Sequence, residues 1–206
     1  MNRLVEILKF ERGAVDKVLY RAKNAVLDEK ILIYPTDTVY GIGGDAFNSN
    51  VVNKIKKIKG IDESKPLSVM MSDIKMIEEY CEVGLWEEMI LKKYLPGPFT
   101  FILKKKIDLP VSLGGTIGVR VPEFEFCNRL SEEVEKPIVS TSANKTGESA
   151  PVNFEEINKE VLESADIAID RGQTRYQRSS DVIDLVHKKI IRKGVGVINL
   201  DMFPEK

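Results

Sequence analysis

The chain reads as a mixed α/β protein. Three observations point there. Segments with helical apolar spacing alternate with short runs rich in Val, Ile and Phe. Two pairs of those runs lie close enough in sequence to be antiparallel neighbours, so the sheet should carry both strand directions. Polar, small-residue loops follow several strand ends, where such folds place their ligands.

Residues 14–29 set Val15, Val18, Leu19, Ala22, Ala25 and Val26 on one helical face. ILIY at 31–34 follows as a buried strand, ended by Pro35, and TDTVYGIGG is a polar loop. A second helix is expected over about 49–58, capped by Ser49 or Asn50. PLSVMM (66–71) reads as a strand, and Ser72 or Asp73 caps a short helix through Tyr80. LWEEMILKKY (85–94) is an amphipathic helix stopped by LPGP. FTFIL (99–103) and IGVRV (117–121) read as strands. Residues 122–134 open with Pro122 and read as a helix. PIVSTSAN (137–144) runs from strand into loop. NFEEINKEVLES (153–164) is a helix with an Asn153 cap, and ADIAID (165–170) is a strand. After the polar loop RGQTRYQRS, residues 181–186 and 189–192 suggest a hairpin. The tail from Gly194 has little periodicity, and one domain over residues 1–206 is expected.

Composition excludes several functions. The 206 residues carry 31 Lys and Arg against 32 Asp and Glu, a net charge of −1. Bulk charge therefore does not clamp a nucleic acid, although a local basic pocket remains open. The N-terminus has no signal-peptide pattern and no run suits a membrane span, so a cytoplasmic protein is expected. Cys81 and Cys127 have no metal-type spacing. The single histidine, His187, reads as a turn residue, which argues against a Ser-His-Asp triad and a zinc enzyme. Neither a P-loop nor a Rossmann fingerprint is present.

The chemistry-bearing residues lie in loops and at strand ends. STSAN offers Ser140, Thr141, Ser142 and Asn144, four hydrogen-bonding side chains that suit a polyoxygen ligand or a capped turn. Arg120 sits inside an apolar strand, where a cation needs a partner. That partner is either an internal carboxylate or the carboxylate of a ligand. In KIKKIKGIDESK, Lys54, Lys56 and Lys57 read as a solvated helix face. Lys59, next to Gly60, and Lys65, before Pro66, are better placed for phosphate. Arg192 leaves the strand KIIR as another cation.

The ordered set YPTDTVYGIGGDA, KGIDESKPLSVMMSD, LPGPFTFIL, GVRVP, VSTSANKTG, SSDVID and IIRKG resembles the YrdC-like family of threonylcarbamoyl-AMP synthases. The resemblance covers roughly residues 13–194 and fits the short form of the family. It implies a twisted mixed sheet with flanking helices and a deep basic concave face. It also implies a reaction joining L-threonine, bicarbonate or CO2, and ATP into L-threonylcarbamoyl-AMP and pyrophosphate. Magnesium would accompany the ATP. A downstream tRNA threonylcarbamoyl transferase would then modify adenosine 37 of tRNA.

Carried over position by position, the resemblance puts Thr38, Arg120, Ser140 and Ser180 at the threonine, with Arg120 on its carboxylate. It puts Lys59, Thr116, Ser142, Asn144 and Arg192 at the nucleotide, with Lys59 beside the phosphates. No covalent nucleophile is implied; the chemistry is one of positioning, with Lys59 as the one candidate for a direct part. Three positions depart from the family pattern. Ile61 stands where an arginine is expected, Met70 replaces a histidine, and Ala150 replaces a serine. Lys65 would supply a substitute charge, as would Arg171, Arg175 and Arg178. YciO-like relatives share the departure at the arginine. Two alternatives follow: an RNA-binding module using the lysines of 54–65 and the arginines of 171–178, with weak tRNA binding, or an ATP-dependent YciO-like paralogue with another amino acid or amine as acceptor.

Overall fold

The computed structural model describes residues 4–199. The sequence-predicted tail after Gly194 thus falls partly outside the described residues. The strands are β1 (Glu6–Lys9), β2 (Leu32–Tyr34), β3 (Gly41–Gly43), β4 (Val69–Met70), β5 (Phe99–Lys104), β6 (Thr116–Arg120), β7 (Ile138–Val139), β8 (Thr141–Ser142), β9 (Ile167–Asp170), β10 (Asp181–Asp184) and β11 (Lys189–Arg192). The helices are α1 (Val15–Leu27), α2 (Ser49–Lys59), α3 (Ile74–Tyr80), α4 (Leu85–Tyr94), α5 (Glu125–Val134) and α6 (Lys159–Glu163).

The strands form two sheets. One has the order β1-β9-β2-β3-β8 and the other β11-β10-β5-β6-β4-β7. Both are mixed: β9 runs parallel to β1 and β2, while β3 is antiparallel to β2 and β8. In the second sheet β5 is parallel to β10 and antiparallel to β6. The hairpin of β10 and β11 is present, with an irregular register between Val182 and Ile183.

The first sheet is covered by apolar side chains on both faces, which explains strands without polar alternation. In β2, Ile33 joins the main core with Ile42, Phe101, Val119 and Ile183. Its neighbours Leu32 and Tyr34 join a second cluster built on α1 and α5, with Leu19, Val26, Phe126 and Leu130. A one-residue slip would exchange these two sets, so the register of β2 is strongly fixed.

The elements differ from the sequence reading in instructive ways. Strand β1 was not expected; its alternating half-buried pattern and four-residue length give little periodic signal. Strand β3 lies inside the expected polar loop and exists because Gly41–Gly43 pairs on both sides. Helix α2 is capped by Asn48, whose side chain accepts from Asn50 N and Val51 N, not by Ser49 or Asn50. Helix α5 starts at Glu125, leaving Pro122 outside it. The expected helix 153–164 is a 3₁₀ turn at Phe154–Glu156 followed by α6, capped by Asn158 instead of Asn153.

Both cysteines are free and buried. Burial pushes the Cys81 thiol up to about 12 and the Cys127 thiol higher still. The thiolate is the reactive form. Neither cysteine should react with a thiol reagent in the native protein at neutral pH, and both should react in denaturant. Rapid native labelling of either would contradict this packing.

Candidate active site

A cavity of about 110 Å³ opens between the two sheets. From the first sheet and its loops come Thr36, Thr38, Gly41 and Ser142. From the second and its flanks come Ser68, Thr100, Arg120, Ser180 and Arg192. Its lining is mostly hydroxyls plus two guanidiniums, and it holds no Asp, Glu, His or Cys among the described residues. Such a lining recognises an anionic, oxygen-rich ligand of small size.

The loop after β2 is held by its own hydroxyls. Thr36 Oγ1 donates to Val39 O at 2.7 Å and accepts from Thr38 N at 3.1 Å. Its proton is thus spent, so in the 2.9 Å pair with Thr38 the donor is the Thr38 hydroxyl. Thr38 Oγ1 in turn accepts from Arg120 Nη2 at 3.0 Å. This is a turn built by local side-chain bonds, which frees the chain from strand pairing at this point.

Arg120 at the end of β6 resolves one open question. Its partner in the protein is an internal carboxylate: Nη2 donates to Asp37 Oδ1 at 2.6 Å. The Asp37 side chain is fully buried and its other oxygen accepts from Glu123 N at 3.1 Å. Arg120 Nε is buried and has no hydrogen-bond partner among the described residues. The guanidinium also lines the cavity, where it can meet a second acceptor.

Arg192, on the edge strand β11, reaches back to Ser180. Its Nε and Nη2 donate to Ser180 O at 3.2 and 2.9 Å, and Nη2 also reaches Ser180 Oγ at 3.2 Å. Burial, and then the charge of Arg120, lower its pKa from the ordinary value. Two guanidiniums share one cavity, and their mutual repulsion falls when an anion enters.

The wall at 140–144 is fixed from behind. Ser140 N donates to Ser68 O at 2.8 Å, and β8 pairs with β3. Lys59, at the end of α2, is buried; its Nζ donates to Ser142 O at 2.6 Å and Asn144 O at 2.9 Å. Gly60 closes the helix in the left-handed region at φ 65°, which lets the chain turn away directly after Lys59. Burial lowers the Lys59 pKa to about 8. Asn144 donates to Lys145 O and Glu148 O, and its Oδ1 is buried without a partner among the described residues.

Thr38, Arg120, Ser140, Ser142, Ser180 and Arg192 therefore line one cavity. Lys59 and Asn144 stand behind its wall. Thr116 begins β6 and does not line it, and Lys65 is exposed in the turn after Asp62. Ile61 packs against the main core, so position 61 does not face the cavity. Met70 is fully buried in the second cluster. The polar lining residues missed from sequence are Thr36, Ser68, Thr100 and Ser179. Thr100 sits among apolar strand residues, and its type alone signals only β propensity.

Comparison with known proteins places this geometry. The Sua5/YciO/YrdC family model, described as "Telomere recombination", matches residues 24–194. A Methanocaldococcus jannaschii relative is 38% identical over 198 residues, covering 96% of this chain and 94% of its own. A Wigglesworthia glossinidia brevipalpis protein named threonylcarbamoyl-AMP synthase is 32% identical over 182 residues, covering 85% of this chain and 93% of its own. The structure of Pyrococcus abyssi Sua5 complexed with L-threonine superposes with a TM-score of 0.84 at 29% identity, over 93% of this chain and 57% of that longer one. Escherichia coli YciO superposes with a TM-score of 0.84 at 26% identity, over 99% of this chain and all of that one. The chain belongs to the Sua5/YciO/YrdC family.

Proposed function

We propose that the protein is a threonylcarbamoyl-AMP synthase, a nucleotidyltransferase that joins L-threonine, bicarbonate and ATP and releases pyrophosphate. The observation that carries this reading is the convergence of Arg120 and Arg192 with Thr38, Ser140, Ser142 and Ser180 on one hydroxyl-lined cavity. The relatives' names and the threonine complex of the P. abyssi protein support it. The Arg120 guanidinium takes the threonine carboxylate. Thr38 Oγ1, whose own proton goes to Thr36, offers a lone pair to the ammonium. The cavity of about 110 Å³ suits an amino acid, so the nucleotide extends outward past Ser142 and Arg192. The residues position the carbamate against the α-phosphate and need supply no nucleophile. Thr116 and Lys65 lie off the cavity and would act only on the outer part of the nucleotide.

Magnesium would accompany the triphosphate, and the cavity lining offers no carboxylate to hold it directly. Bound with the nucleotide, magnesium would neutralise phosphate charge, while Arg192 and the 140–144 loop orient the nucleotide. The product passes to a tRNA threonylcarbamoyl transferase. No helix among the described residues is long and apolar enough to cross a membrane.

The test is incubation with threonine, bicarbonate, magnesium and ATP labelled at the α-phosphate. Labelled threonylcarbamoyl-AMP and pyrophosphate are expected; their absence would end this reading. The second reading, a YciO-like paralogue with another acceptor, rests on Ile61, which brings no charge to the cavity, and on the full-length match to YciO. Under it, another amino acid or amine would replace threonine in the same assay. An RNA-binding role would instead appear as salt-sensitive tRNA binding that needs no nucleotide.

As a direct check on the wall, Ser142→Ala should raise the KM for ATP by about tenfold and leave the KM for threonine within about twofold, since one hydrogen bond to a charged group is lost. An unchanged KM for ATP would move the nucleotide away from this wall.

A further inference from the structure

We infer that Thr100 is a positioning residue: its hydrogen bond fixes the direction of the Ser180 proton and so makes Ser180 a donor to the acidic group of the substrate. The inference rests on the proposed threonine site and adds a residue to it. Thr100 lies in β5, is 4% exposed, and faces Val182 of β10 in register. Thr100 Oγ1 and Ser180 Oγ are 3.0 Å apart.

A serine hydroxyl has one proton and two lone pairs. One lone pair of Ser180 Oγ is taken by Arg192 Nη2. Arg192 is itself anchored on Ser180 O by two bonds, so its direction is set. Two arrangements of the Thr100 pair remain. When Thr100 donates, both lone pairs of Ser180 are filled and its proton is left for the cavity. When Ser180 donates, the cavity meets a lone pair, which repels a carboxylate. An anionic ligand therefore selects the first arrangement, and Thr100 makes it available.

The site around Thr100 is built for this. Its hydroxyl makes no other hydrogen bond among the described residues. Its methyl lies over Gly118 of β6, where an added Cβ would come 3.4 Å from Thr100 Cγ2 and 2.6 Å from Ser68 Oγ. A glycine at 118 thus leaves space for both side chains. Threonine is stiff at χ1, so seating the methyl over Gly118 keeps the hydroxyl toward Ser180.

The test is a coupling experiment read by calorimetric binding of L-threonine. Thr100→Val keeps the shape and removes the hydroxyl; it should weaken threonine about fivefold. Thr100→Ser should restore affinity to within about twofold. In a Ser180→Ala background, Thr100→Val should add nothing, because its effect runs through Ser180. Thr100→Ala must show the same coupling and serves if valine is not accommodated. A Thr100→Val penalty that persists in the Ser180→Ala background, or wild-type affinity in Thr100→Val, would overturn the positioning role while leaving the threonine site intact. A wild-type protein that binds no threonine would overturn the site and the inference together.

Discussion

Arg120→Ala should lower threonine affinity by about 10- to 100-fold, the range for losing a charge-assisted hydrogen bond to a carboxylate. It should also destabilise the protein. Asp37 is fully buried and Arg120 is its ion-pair partner at 2.6 Å. Removing one member of a buried pair leaves an uncompensated charge and costs about 3–5 kcal/mol. For a chain of this length that corresponds to a drop in Tm of roughly 6–20 °C. The two effects separate in a double variant. Asp37→Ala with Arg120→Ala removes both charges, so much of the stability should return. Threonine affinity should not return, because the ligand still lacks its guanidinium. Wild-type threonine binding by the double variant would remove Arg120 from the substrate site.

The same pair shows why only half of the site was legible in the sequence. An arginine inside IGVRV demands a partner on electrostatic grounds, so Arg120 stood out. The partner did not, because Asp37 sits 83 residues away in a loop whose composition looks like an ordinary turn. Polar residues within small-residue loops, such as Ser140 and Ser142, carry a visible signal. Polar residues within apolar strands of the β-favouring type, such as Thr100, do not. The fold divides in the same way. A long helix with a full apolar face, such as α1, was legible from periodicity. Strands β1 and β3 were not, because their existence depends on distant pairing with β9 and β8 rather than on their own residues. Lys59 marks a third kind of case. Its position at a helix end before Gly60 was visible, but its bond to the 142–144 wall was not.

Lys59→Met should raise the KM for ATP by about 10- to 100-fold. The variant frees Ser142 O and Asn144 O from their anchor and, on the proposed site, removes a cation near the nucleotide. The effect carries a pH signature. Burial lowers the Lys59 pKa to about 8 in the folded protein, while the unfolded chain keeps the ordinary value of 10.5. Below pH 8 both states hold the proton and the buried charge is a cost. Between about 8 and 10.5 the folded state has released it and the unfolded state has not, so the unfolded state binds more protons and stability rises with pH. The rise amounts to about 3 kcal/mol at most. Nucleotide affinity should move the other way, since a triphosphate favours the protonated amine: it falls as pH rises through about 8. Stability and ATP affinity should thus diverge in the wild type over the same window, and Lys59→Met should abolish both dependences. The measurements are denaturant unfolding and ATP binding at a series of pH values. An ATP affinity that stays flat across this window would place the phosphates away from Lys59 and leave it only as the clamp on the wall.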